Sequence, residues 1–120
     1  MVAITEQNAA HFIKNQLPDI LDDTVNAQSN VYQLMKRLVS VTLGKVQDHN
    51  FIAVKKCLVA VEKLYDHSNK TVQNALENVY VYSFTSMFNT DRSEKLALLS
   101  IIPVGLYTIY VNQLKACNLP

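Results

Sequence analysis

Apolar residues recur along this chain in steps of three and four, the spacing that gathers side chains on one face of an α-helix. The clearest run is Val31, Leu34, Met35, Leu38 and Val39, which obeys the i, i+3, i+4, i+7, i+8 rule. Asn26, Ser29 or Asn30 is placed to cap it. Gly44 stands where a C-terminal glycine would enter the left-handed conformation cheaply. A second seam, Phe51, Val54, Leu58, Val61 and Tyr65, begins after Asp48 or Asn50, and Lys55, Lys56, Glu62 and Lys63 lie off it. Upstream, Thr5 is a cap for a helix with Ala9, Phe12, Ile13 and Leu17 on one face. Pro18 ends or kinks that helix, or starts a short turn over PDILDD that carries Ile20 and Leu21 inward.

The stretch LYDHSNKTVQNALENVYVYSF, residues 64–84, reads as the corner and second arm of a helical hairpin. Tyr65 closes one helix, and four polar residues follow, of which Ser68 or Asn69 can accept the free amide hydrogens of the next. Val72, Leu76, Val79 and Ser83 continue at the helical step. The corners DHN at 48–50 and DHSN at 66–69 resemble each other, and each leads into a helix. VYVYSFT, 79–85, is rich in β-branched and aromatic residues and would suit a strand. It continues the pattern from Val72 without a turn signal, so the reading is helix, apolar on both faces and placed centrally. NTDRSE, 89–94, is the next corner, with Asp91 and Glu94 at capping-box spacing. A helix runs from Arg92 toward Ile102. Pro103 breaks or kinks it, or starts a last helix through Leu114 and Lys115.

Composition sharpens this picture. In 120 residues there are two glycines and three prolines, too few for the turns of a β-sandwich. The expectation is one all-α domain over 1–120, an antiparallel helical bundle or αα-hairpin array of five to six helices. At 49% apolar and 18% charged residues the chain can bury a core without staples. A net charge of +1 supplies no global field toward nucleic acid or an anionic membrane. The basic pairs Lys36-Arg37 and Lys55-Lys56 read as solvated faces rather than a nucleic-acid site. LALLSIIPVGLYTIYV, 96–111, falls short of a spanning helix and is interrupted by Pro103 and Gly105, so a buried C-terminal helix pair is expected. The N-terminus lacks the basic start and apolar run of a signal peptide. Two distant cysteines, Cys57 and Cys117, fit a reducing cytoplasm.

Candidate chemistry is sparse. His11, His49 and His67 with Asp48, Asp66 and the cysteines form no ligand spacing of a zinc site, so neither metal nor cofactor is expected. Cys57 sits one residue off the apolar seam and reads as a small buried hydrophobe, whereas Cys117 lies in a terminal turn that could be exposed. Asp22 and Asp23 read as a solvated corner. Acid–base work would need two carboxylates paired in a cleft, for which Glu62 and Glu77 are the candidates across the hairpin. Tyr80, Tyr82, Tyr107 and Tyr110 lie in the most apolar helices, where tyrosine suits a core or an interface. That much apolar surface favours a homodimer or a protein partner.

Asn74, Ala75, Glu77, Asn78, Val79, Val81 and Ser83, followed by Pro103, Leu106 and Tyr107, resemble the pattern of a family of small all-helical bacterial domains of unknown function. The resemblance covers roughly the last two thirds of the chain. Such domains look like the stand-alone immunity or accessory proteins found near bacterial toxin genes, which implies binding rather than a reaction and transfers no catalytic residue. The function expected is therefore protein–protein interaction, in its sharpest form inhibition of a toxin-like partner. A small-molecule-binding or enzymatic helical domain is the alternative. Glu77, Asn78 and Tyr82 are the candidate partner-binding residues, Asn74 and Asn78 sharing a face four residues apart.

Overall fold

The computed structural model describes residues 3–18 and 30–117. The expected PDILDD turn with Ile20 and Leu21, the Asp22–Asp23 corner, the caps Asn26 and Ser29 and the Cys117 side chain lie outside what is described. Among the described residues there are six helical rods and no strand: α1 (Glu6–Gln16), α2 (Val31–Gln47), α3 (Phe51–His67), α4 (residues 70–87), α5 (Arg92–Ser100) and α6 (Val104–Cys117). The all-α expectation holds.

Most of the rods start on a polar side chain that accepts one of the free N–H groups of the first turn. Asn30 Oδ1 accepts from Gln33 N at 2.8 Å, Asn50 from Ala53 N at 3.2 Å, Asn69 from Val72 N at 3.0 Å and Asp91 from Glu94 N at 2.9 Å. Thr5 occupies the cap of α1, but its side chain makes no capping bond. α1 is anchored by the chain before it instead. Ile4 N donates to His67 O at 2.7 Å and Asn69 N to Ile4 O at 2.8 Å, while Asn69 Nδ2 donates to Glu6 Oε1 at 2.9 Å. The Asn69 contact holds the Glu6 carboxyl below its usual value.

Gly44 does not end α2. The helix runs on to Gln47, and His49 takes the left-handed residue's place with φ of 57°. Its N–H donates to Val46 O at 3.0 Å, and Asn50 N to Lys45 O at 2.9 Å, the two bonds of a Schellman stop. That conformation costs a side-chain-bearing residue about 1–2 kcal/mol. His49 also holds Nδ1 3.0 Å from Glu94 Oε2. The capping box at 91–94 is therefore only half made, with Asp91 capping and the Glu94 carboxylate turned to His49. Replacing His49 with glycine is expected to change stability by less than about 1 kcal/mol in urea unfolding, because the backbone relief is offset by taking a partner from a Glu94 side chain that is only 11% exposed. A larger fall in stability would show that the Glu94 contact outweighs the relief.

One core runs from Ala9 and Ile13 in α1, through Leu34, Leu38, Leu58 and Leu64, to Leu98, Leu106 and Tyr110. α2 lies against α1, α3 and α4. The second arm of the expected hairpin makes its main contact with α2 rather than with α3, to which the corner joins it. In α3 the buried seam is broader than the one read from the sequence. It takes in Ala53, Cys57, Ala60 and Leu64 beside Val54, Leu58 and Val61, and it leaves Phe51 exposed.

α4 departs most from expectation. Its middle, Leu76–Tyr80, is a π-turn, and Val81–Ser83 a 3₁₀ turn. The wider turn carries one extra residue, so the buried positions step from Val72 and Leu76 to Tyr80, Phe84 and Phe88 instead of to Val79 and Ser83. Val79 is half-buried, and Ser83 Oγ donates to Val79 O at 2.6 Å. The expected two-sided coverage is not seen either, since Asn74, Asn78, Tyr82, Thr85 and Ser86 are exposed. Residues 79–85 are helical, as the pattern from Val72 required.

Candidate functional site

α3 carries two stripes. One faces the core; the other, Ile52, Lys56, Val59 and Lys63, is spaced i, i+4, i+7, i+11 and runs along the opposite side. The last turn of α1 comes down beside this second stripe because Ile13 and Leu17 are buried in the core. Between them lies a groove of about 620 Å³, walled by Gln16, Leu17 and Pro18 on one side and by α3 on the other. Its floor is apolar, with Leu17 and Ala60 buried and Val59 half-buried. Ile52 stands at one end, 74% exposed. The ammonium groups of Lys55, Lys56 and Lys63 form the rim, and none has an ion pair with a described residue. Three cations that no described residue pairs, set beside apolar surface, make a local positive field in a chain whose net charge is only +1. No carboxylate, imidazole or thiol is among the described lining residues. The arrangement can attract and bury an anionic, partly apolar group.

Along the chain Lys55, Lys56 and Lys63 lie off the seam, and the Lys55-Lys56 pair reads as a solvated face. The signal for the groove was present in Ile52 and Val59, seven residues apart and on the lysine side. What could not be seen was α1 arriving beside them.

Glu77, Asn78 and Tyr82 are placed differently from one another. Asn78 and Tyr82, the latter 65% exposed, lie four residues apart on the outer side of α4. Glu77 is committed internally: Tyr65 Oη donates to its Oε2 at 3.1 Å, and Gln113 Nε2 to its carbonyl at 2.8 Å. Partial burial raises the Tyr65 hydroxyl above its usual value, and the Glu77 carboxylate adds to the effect.

Glu62 and Glu77 each have a hydrogen-bond partner of their own. Glu62 Oε1 accepts from Gly105 N at 2.7 Å and so caps the start of α6 from another helix. A Cβ at position 105 would lie 2.6 Å from that oxygen, so a side chain there would make the Glu62 carboxylate shift. Asp48 and Asp66, with their neighbouring histidines, lie near opposite ends of α3. Among the described residues no three metal-ligating side chains gather. Cys57 is buried, and burial raises its thiol while the Thr42 hydroxyl bond and Lys45 oppose the shift.

The C-terminal pair is buried on one side only. Leu98, Ile102, Leu106 and Tyr110 are inside, while Leu96, Val104 and Tyr107 are exposed around a second, shallower hollow of about 440 Å³ that no charged side chain among the described residues lines. The four tyrosines of α4 and α6 divide evenly, Tyr80 and Tyr110 in the core, Tyr82 and Tyr107 outside. No helix among the described residues is long and apolar enough to cross a membrane.

No curated protein and no solved structure matches this chain. A family model described as a domain of unknown function, DUF7674, matches residues 10–116, from the middle of α1 to the end of α6. All the groove-lining residues fall within that match, and the chain belongs to the DUF7674 family of domains of unknown function.

Proposed function

We propose that this protein is a protein-interaction module that docks its partner in the groove between α1 and α3. The observation that carries the reading is the exposed Ile52 side chain beside three lysines that no described residue pairs. An apolar centre with a charged rim is the anatomy of an interface that forms and is steered by charge. The expected immunity-like role is one form of such a module, in which the docked partner is a toxin whose activity is blocked. The buried free thiol of Cys57 supports a cytoplasmic setting. A small-molecule or enzymatic reading has a groove of suitable volume, but the described lining offers no carboxylate, imidazole or thiol to work beside the lysines.

A homodimer is the second reading, and the uncharged surface at Leu96, Val104 and Tyr107 favours it. If it holds, Val104→Lys shifts a dimer to a monomer in sedimentation velocity.

The test of the main reading is site-specific photo-crosslinking in the source cells, with the crosslinking residue at position 52, 82 or 104. Adducts to another protein from position 52, lost on charge reversal of Lys55, Lys56 and Lys63, are the expected result. Adducts from 82 alone would move the site to the Asn78–Tyr82 strip. Adducts of the chain with itself from 104 alone would favour the homodimer. No adduct from any position would overturn the module reading.

A further inference from the structure

We infer that the occupant of the α1–α3 groove is an acidic amphipathic helix of the partner protein. This rests on the interaction reading above and adds the chemistry of the partner. The outward stripe from Ile52 to Lys63 follows one face of a straight helix for about 16 Å, roughly three turns. That length and the shallow apolar floor match a helix laid in a groove with apolar residues at i, i+3, i+4 and i+7. Lys56 and Lys63 are two turns apart, about 10 Å, with Lys55 beside them. Carboxylates at the same two-turn spacing along the flank of a bound helix would meet these ammonium groups. The charge selects an acidic partner, since a basic helix would bring like charges to the rim.

Other anionic occupants fit the surface less well. The described lining residues include no aromatic side chain, so nothing there offers the stacking platform of a single-stranded nucleic acid site. The lysines flank a concave groove, whereas binding to an anionic bilayer needs a face that can lie flat on the headgroups. The groove is open to solvent along its side, unlike the enclosed cavity that covers most of a small ligand.

The test is fluorescence anisotropy of the full chain with a labelled synthetic helix carrying leucine at i, i+3, i+4 and i+7 and glutamate on both flanks. The control peptide has lysine in place of every glutamate. The acidic peptide is expected to bind and the basic one not. Changing Lys55, Lys56 and Lys63 to glutamate should weaken binding about tenfold or more, a change of roughly 1.4 kcal/mol. Ile52→Asp should weaken it to a similar degree, and added salt should weaken it further. Tyr82→Ala should leave it unchanged. The substituted side chains are exposed, and circular dichroism confirms that each variant is folded.

Equal binding of both peptides would overturn the inference. So would lysine-dependent sedimentation with phosphatidylglycerol vesicles, lysine-dependent capture of an oligonucleotide, or displacement of the peptide by oleate. Binding that emerges only after Asp19, Asp22 and Asp23 are changed to asparagine would also overturn it, by giving the groove to the chain's own acids. The inference and the module reading fail separately. Crosslinks from position 52 without binding of the acidic peptide remove the inference alone, whereas the absence of a crosslinked partner removes the reading beneath it.

Discussion

Truncating Phe84 to alanine is expected to destabilise the fold by about 3–5 kcal/mol, the usual range for removing a buried phenyl ring. Phe84 is fully buried and stands among three other rings: Tyr80 at 5.5 Å, edge-on, Phe88 at 5.1 Å and Tyr110 at 5.5 Å between centroids. Each such pair adds roughly 0.5–1.5 kcal/mol beyond the area buried. A domain of this kind has only about 5–15 kcal/mol in total, so the variant should lose a large fraction of its stability. Tyr110 is the contribution of α6 to this cluster. Hydrogen exchange should therefore show α6 losing protection before α2 and α3. A loss below about 1 kcal/mol in urea unfolding would mean that the neighbouring rings collapse into the space and that Phe84 is not the centre of the core.

The second large effect is expected at Tyr80. Its hydroxyl shares a 2.8 Å hydrogen bond with Thr42 Oγ1, and both side chains are fully buried. Tyr80→Phe leaves the threonine hydroxyl without that partner and should cost about 1–3 kcal/mol; Thr42→Val should cost a similar amount by stranding the tyrosine. The double variant should lose clearly less than the two single losses together, because an apolar pair of the same shape strands nothing. Strict additivity would show that the hydrogen bond is not what holds the pair.

The same site sets a pH dependence. Complete burial raises the Tyr80 hydroxyl well above its ordinary value of 10.0, and burial raises the Cys57 thiol above 9.0. Above those ordinary values the unfolded chain releases protons that the folded chain still holds. Stability is therefore whole below about pH 9 and declines as pH rises past it. Tyr80→Phe should flatten the steeper part of that decline. A wild-type stability level from neutral pH to well above 10 would contradict it.

Much of the scaffold was legible along the chain. The seams of α2 and α3 and the breaks at 48–50, 66–69 and 89–91 follow from step spacing and from polar residues that compete with the helix for backbone bonds. Two local signals misled. Gly44 has the conformational freedom to stop a helix, yet α2 continues through it because Thr42 and Val46 have core partners on either side. His49 then accepts the left-handed conformation. In α4 a constant 3.6-residue step pointed Val79 and Ser83 inward. The register that forms instead brings Tyr80 to Thr42, thirty-eight residues earlier in the chain, and a π-turn is the local adjustment that allows it.

The candidate partner residues divide on the same grounds. Asn78 and Tyr82 share a face because they are four apart, which spacing alone establishes; that this face is exposed was decided by packing. That Glu77 is taken up by Tyr65 and Gln113 depends on α3 and α6 meeting α4 there. Helix class and corners were thus determined by the sequence itself, since they depend on neighbours within a turn or two. The π-turn of α4, the capping of α6 by Glu62 and the lysine-rimmed groove were decided only by the tertiary structure. Each joins groups from separate helices, and no local spacing specifies how separate helices pack.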